Sequence, residues 1–158
     1  MTMYPPPPQT SQTPWSPHQS GPRAGFWARF VALFIDSIVI AIIPIILIAI
    51  GSGSNSSGLL ALGYVLYFVG AIAYYVYFEG GSTGQTLGKR AMGIRVIDFN
   101  TGGSIGHGRA FVRWIGRIIS GFICYLGYFW MLWDKEKQCW HDKMANDVVV
   151  PVQYYPVP

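Results

Sequence analysis

Charge is scarce in this chain. Asp, Glu, Lys and Arg make up 11% of its 158 residues, against about 25% in an average soluble domain, while 51% are hydrophobic. That balance excludes an ordinary soluble domain and points to a membrane protein. Cysteine is nearly missing: Cys124 lies in an apolar run and Cys139 does not, and two cysteines make no disulfide framework and fix no redox compartment. The N-terminal segment is not expected to be a secretory leader, because no charged region precedes a short apolar stretch and residues 26–50 are too long for one. The net charge of +4 comes from basic residues that flank apolar runs, as topology signals do, so no nucleic-acid partner is expected.

What the chain does have is three apolar segments. The first, residues 26–50, ends in twenty residues that are apolar except for Asp36 and Ser37. That suffices for a transmembrane helix, since about 20 residues at 1.5 Å rise cross a hydrocarbon core of about 30 Å. The second, residues 59–78, carries no charge, and the two are joined by residues 51–58, all Gly, Ser or Asn. Arg23 and Arg29 precede the first span, and Lys89, Arg90, Arg95 and Arg109 follow the second. The positive-inside rule therefore predicts a cytoplasmic N-terminus, an external loop at 51–58 and a cytoplasmic segment at 79–108.

The third segment is shorter. Residues 118–133 carry no charge but reach only about 24 Å as a straight helix. They either cross with snorkelling or local thinning at the ends, or turn back near Gly127 as a broken or re-entrant helix. Residues 94–98 read as a brief alternating strand and 147–150 as another. Their pairing would put the C-terminus on the cytoplasmic side.

The expected fold is thus an all-α integral membrane protein, a small helical bundle with two full transmembrane helices and a third spanning or re-entrant helical segment. Its membrane domain covers residues 26–152, with spans at about 26–50, 59–78 and 109–133. A disordered proline-rich tail, residues 1–25, precedes it, and residues 153–158 form a C-terminal tail. Pro5 to Pro8, Pro14, Pro17 and Pro22 lie among Gln, Ser and Thr, a make-up that cannot bury a core. The tail is either a solvated extension or a docking segment for a proline-binding protein.

Asp36 is the most costly residue of the first span, at roughly +2.5 to +3.5 kcal/mol near the bilayer centre, so a partner or a water-filled path is expected for it. Arg29, seven residues earlier, falls within about 20° of the same helix face and about 10 Å below, so it either pairs with Asp36 or snorkels to the interface. In the second span Gly63, Tyr67, Gly70, Tyr74 and Tyr77 recur at helical spacing. This stripe is expected to pack against the Arg29/Asp36 face and line it with hydroxyls; the alternative is a belt of interfacial tyrosines, which suits Tyr77 best. Lys89 and Arg90 form a short basic turn, and Arg109, Arg113 and Arg117 recur every four residues, as in a helix lying on anionic lipid.

Several chemistries are excluded. Gly88-Lys89 is no phosphate-binding loop, because Thr83 stands where the first glycine is needed and Arg90 where Ser or Thr should follow the lysine. Cys139, His141 and Asp142 are metal-capable types at no established zinc spacing, so no metal and no cofactor is expected. No pairing of a nucleophile with a base is visible, so the chain is not read as an enzyme.

The order of these motifs resembles the RDD family of bacterial membrane proteins, named for one arginine and two aspartates. The resemblance rests on Arg29 and Asp36 in the first span, Thr86-Leu-Gly-Lys89 leading to Gly93-Ile-Arg-Val-Ile-Asp98, Arg113 before an apolar segment, and Gln138-Cys-Trp-His-Asp-Lys143 before Val148-Val-Val150. It covers residues 26 to 150 and makes Asp142 the third signature residue. Where the family often continues Ala-Gly-Thr, this chain has Ala145-Asn146-Asp147. The resemblance implies a multi-pass protein of the bacterial plasma membrane, with transport suspected and cation/proton antiport suggested for some members. Two functions are therefore expected. One is an oligomeric transporter of small ions or solutes that uses Asp36 and Arg29. The other is a non-transporting accessory or scaffold protein in which Arg29, Asp36 and Asp142 form a structural clamp. A chain this small would need to assemble as a homo-oligomer in the bilayer to build an alternating-access path.

Overall fold

The computed structural model describes residues 21–123 and 126–157; the proline-rich tail up to residue 20 and Cys124 lie outside them. Helix α1 (Phe26–Gly53) and helix α2 (Ser57–Gly80) form an antiparallel hairpin. At 28 and 24 residues they are about 42 and 36 Å long, enough to cross a bilayer. Each runs past its apolar stretch, so the loop expected at 51–58 shrinks to residues 54–56. Asn55 takes a left-handed φ of 51°, which Asn tolerates, and Ser56 caps α2 by accepting from the Leu59 amide at 3.5 Å. Phe34, Ile42 and Ile46 of α1 and Val65, Phe68 and Val69 of α2 are exposed. An apolar surface of that extent needs lipid around it.

After α2 come a short helix α3 (Leu87–Ala91), strand β1 (Ile94–Asp98) and helix α4 (Gly106–Phe122). Helix α5 (Leu126–Phe129) runs into a 3-10 turn (Trp130–Leu132), followed by helix α6 (Trp140–Ala145) and strand β2 (Asp147–Pro151). The third apolar segment is broken: Leu126–Leu132 lies at 112° to Gly106–Phe122. The returning piece packs on the outgoing helix so closely that a Cβ on Gly127 would come within 2.3 Å of the Ser120 hydroxyl.

The two strands expected from the sequence do pair, and the direction is antiparallel, with Ile94 opposite Pro151 and Asp98 opposite Asp147. Val96 and Val149 face a core of Ala24, Ala32, Ile105 and Ala110, while Ile97, Val148 and Val150 pack beside Phe99 and Tyr155 on the other face. The amide of Ala24 donates to the Val149 carbonyl at 2.9 Å. The start of α1, the segment after α2 and the C-terminal strand therefore gather at one end of the bundle. A straight third crossing would have separated them, and the short apolar run is what prevents it.

Candidate functional site

Two buried polar sites lie at this end. The first surrounds Asp36, which is 1% exposed. Its Oδ1 accepts from the Tyr74 hydroxyl at 2.7 Å and the Gly88 amide at 2.8 Å, and its Oδ2 accepts from the Thr86 hydroxyl at 2.6 Å. Tyr74 in turn accepts from the Leu87 amide at 3.0 Å. The carboxylate thus satisfies the opening turn of α3, whose first amides have no partner within the helix. Glycine is required at position 88, since a Cβ there would lie 2.1 Å from the Ala32 carbonyl oxygen and 2.9 Å from Asp36 Oδ1.

The second site is an ion-pair cluster centred on Arg113 of α4, which is 2% exposed. Its Nε donates to Glu79 Oε2 at 3.1 Å, and its Nη1 donates to Asp142 Oδ1 and Asp147 Oδ1. Asp142 Oδ2 accepts from Arg29 Nη1 at 2.5 Å and from the Cys139 amide at 2.9 Å. Glu79 Oε1 accepts from Lys89 and Arg117, and the Arg117 guanidinium sits 4.3 Å over the Tyr75 ring. Helix α3 links the two sites, because Thr86 and Gly88 hold Asp36 while Lys89 reaches Glu79.

These contacts set the protonation of the groups outside the spans. Burial alone would raise Asp142, but the guanidinium groups of Arg113 and Arg29 outweigh it and hold the carboxyl well below its usual range. Burial pushes Asp147 up to about 7, with Arg113 opposing and the Asp142 charge adding to the rise. Burial likewise pushes the Cys139 thiol up to about 12 and holds His141 well below its ordinary value. Cys139, His141 and Asp142 offer ligand atoms within 4.8 Å of one another, a grouping the spacing did not suggest. Both Asp142 oxygens already accept from guanidinium groups, so this carboxylate serves the ion-pair cluster.

Several sequence expectations need correction. Arg29 pairs with Asp142 and donates to the Lys137 carbonyl at 2.9 Å, while Asp36 is held by neutral donors; the direct Arg29/Asp36 pair is not formed. The glycine and tyrosine stripe divides. Gly63 packs against α1, where a Cβ would meet Ile48 at 2.6 Å, and Tyr74 reaches Asp36, but Gly70 faces open space and Tyr67 and Tyr77 are exposed. Of the residues expected on anionic lipid, Arg90 is exposed, whereas Lys89 and Arg113 are buried in ion pairs and Arg117 is bound to Glu79. Arg109 bonds Asp98 and the Ala145 and Asn146 carbonyls. A four-residue spacing marks one helix face, and here that face meets carboxylates. Glu79 was not singled out from sequence, and Thr86 and Asp147 entered only as parts of motifs without a site role; Glu79, the sole acid between Asp36 and Asp98, was the visible clue.

Two long apolar helices, a bent third segment and buried Arg/Asp pairs define a multi-pass membrane protein. The chain matches the RDD family over residues 23–146 and belongs to that family. It is 36% identical over 90 residues to a proline-rich antigen homolog of Mycobacterium tuberculosis, covering 55% of this chain and 38% of that one. It is 32% identical over 102 residues to a proline-rich antigen of Mycobacterium leprae, covering 63% and 41%. To the uncharacterized protein YxaI of Bacillus subtilis it is 27% identical over 147 residues, covering 80% and 96%. The matches to the two mycobacterial proteins span about two fifths of those proteins' length. No solved structure matches.

Proposed function

We propose that this chain is a non-transporting accessory or scaffold module of the bacterial plasma membrane, with its N-terminus cytoplasmic and its Arg/Asp residues acting as a structural clamp. One observation carries the reading: Asp142 accepts from Arg29 at the start of the first span and from Arg113 of the bent segment. The signature residues thereby fasten helices to the strand-bearing cap. Removing one member of such a buried pair costs about 3 to 5 kcal/mol. An ion at Asp36 would have to displace three donors already in place. No enzymatic step is assigned, since Cys139 is a buried thiol with a raised pKa. The exposed faces of α1 and α2 meet lipid and a second copy of the chain, and the proline-rich tail is available to a protein partner.

The second reading is an oligomeric transporter of small ions or solutes. It is favoured by Asp36 having only neutral donors among the described residues, whereas intramembrane carboxylates elsewhere mark ion or proton paths. Proteoliposomes separate the two. The purified chain should give no proton or cation flux above empty liposomes across Li⁺, Na⁺ and K⁺. A flux that is present and disappears in Asp36→Asn overturns the scaffold reading in favour of transport.

A further inference from the structure

A cavity of about 410 Å³ opens between the first turns of α1, the returning segment and α6, within the usual range for small-molecule sites, about 300 to 1,000 Å³. Phe26, Phe30, Leu33, Phe129 and Met131 supply its apolar wall. Phe26 and Phe129 stack on each other with ring centroids 5.6 Å apart, so α1 and the returning segment share that wall. The polar residues behind it are engaged within the protein. Arg29 donates to Asp142 and the Lys137 carbonyl, Lys89 to Glu79, Arg113 to three carboxylates and the Cys139 thiol to the Tyr128 carbonyl. Arg117 Nη1 and His141 Nδ1 have no hydrogen-bond partner, but both atoms are buried and present nothing to a guest.

A guest in this space therefore meets mostly carbon. Water needs about two to four polar partners to stay in a cavity, and an empty one costs free energy in proportion to its volume. An apolar guest meets both conditions, and depth and size say which kind. Phe26 and Leu33 are seven residues apart, so the wall climbs about 10 Å along α1 and passes Val31, where the apolar run begins. Phe30 and Phe129 are 50% and 43% exposed, on a surface that lipid surrounds, which sets the mouth at the boundary of head groups and acyl chains. A protein helix about 10 Å across fills about 400 Å³ with a single turn. The cavity has no room for a longer piece of helix, whereas a hydrocarbon chain enters lengthwise.

We infer that this cavity takes an acyl chain of a bilayer lipid from the leaflet on the side of the cap, held by its hydrocarbon and not by its head group. The ion-pair cluster lies behind the wall, so the chain keeps water away from the Arg29/Asp142 contact, and charges attract more strongly where water is excluded. The inference stands on the geometry of the cavity and holds whether the protein is a scaffold or a transporter.

The test uses the full chain in a mild detergent with one equivalent of a phosphatidylcholine that carries a diazirine in its acyl chain. Excess detergent competes for the general lipid-facing surface, so after photolysis adducts on Phe30, Leu33 and Phe129 should exceed those on exposed Ile42, Ile46 and Val65 at least tenfold. Unlabelled phosphatidylcholine, phosphatidylglycerol and diacylglycerol should suppress the cavity adducts equally within about twofold, and glycerophosphocholine, the head without the chains, should leave them in place. Leu33→Trp, which fills the cavity and removes no ion-pair residue, should lower the cavity adducts at least tenfold with the labelling of Ile42, Ile46 and Val65 unchanged. The competition arms use the unaltered protein and decide the matter even if that variant fails to fold. Suppression by glycerophosphocholine, or a tenfold preference for one head group, overturns recognition through the chain. Labelling spread evenly over all these positions would show only general lipid contact and overturn the site. Labelling of Ile42, Ile46 and Val65 with none in the cavity would give the space to a second copy of the chain or to its proline-rich segment, and overturns the lipid.

Discussion

Arg29 and Asp142, 113 residues apart in sequence, meet with Nη1 and Oδ2 2.5 Å apart. The contact joins the start of the first span to α6 beyond the third. It explains why an arginine is kept at a membrane boundary: the side chain folds back toward the cap, where the Lys137 carbonyl also accepts from it at 2.9 Å.

The Asp36 site predicts a graded series. Thr86→Val keeps the shape but leaves Asp36 Oδ2 without its hydroxyl donor, and should cost about 1 to 3 kcal/mol in thermal stability. Gly88→Ala should cost more, because its Cβ meets the Ala32 carbonyl oxygen at 2.1 Å. A Gly88→Ala variant that melts at the wild-type temperature would contradict the close approach of α3 to α1.

The two glycines of α2 should behave differently. Gly63→Ala brings a Cβ to 2.6 Å from Ile48 and 3.2 Å from the Pro44 carbonyl oxygen, whereas nothing lies within 4 Å of a Cβ at Gly70. Gly63→Ala should lose about 1 to 3 kcal/mol through overpacking, and Gly70→Ala should be tolerated. Melting temperatures in one mild detergent check the pair; equal losses would contradict the hairpin packing.

Asp147 predicts a pH dependence. Its carboxyl is raised from an ordinary 3.8 to about 7, so between roughly pH 4 and 7 the folded protein keeps a proton that the unfolded chain has released. Stability from this group therefore falls as pH rises through that window. Asp147→Asn does not titrate, so its melting temperature should climb relative to wild type from about pH 4.5 to 7 and level off above. Asp142, lowered in the fold, acts in the opposite sense and below about pH 4. A difference constant across the window would contradict the raised carboxyl.

Much of this architecture was legible in the sequence. Hydropathy located both spans, the deficit of length in residues 118–133 left a turn open beside a full crossing, and 94–98 and 147–150 read as strands able to pair. The charge partners were less legible. Arg29 and Asp36 share a helix face, but a side chain of arginine's length reaches partners on another element, and periodicity is silent about which. Arg113 and Arg117 showed the same difficulty: four-residue spacing marks a face without saying whether lipid or protein covers it. Asp142 entered through the family resemblance, and Glu79 was missed because it sits just beyond an apolar run.

Orientation is checked with two single-cysteine variants in a background where Cys124 and Cys139 are replaced by serine. Native Cys139 is a poor probe, since it is buried and its thiol donates to the Tyr128 carbonyl at 3.5 Å. Ser54→Cys, in the connection between the spans, should react with an impermeant maleimide on intact cells. Lys135→Cys should react only once the membrane is opened. The reverse pattern would invert the proposed topology.

The clamp itself is tested most directly by a double-mutant cycle on Arg29 and Asp142. Arg29→Gln and Asp142→Asn should each cost about 3 to 5 kcal/mol, and the double variant should be less destabilised than their sum by about 1 to 3 kcal/mol, as expected of residues in contact. The parallel cycle on Arg29 and Asp36 should be additive within about 0.5 kcal/mol. Additivity for Arg29 with Asp142, or coupling of Arg29 to Asp36 in its place, would contradict the account.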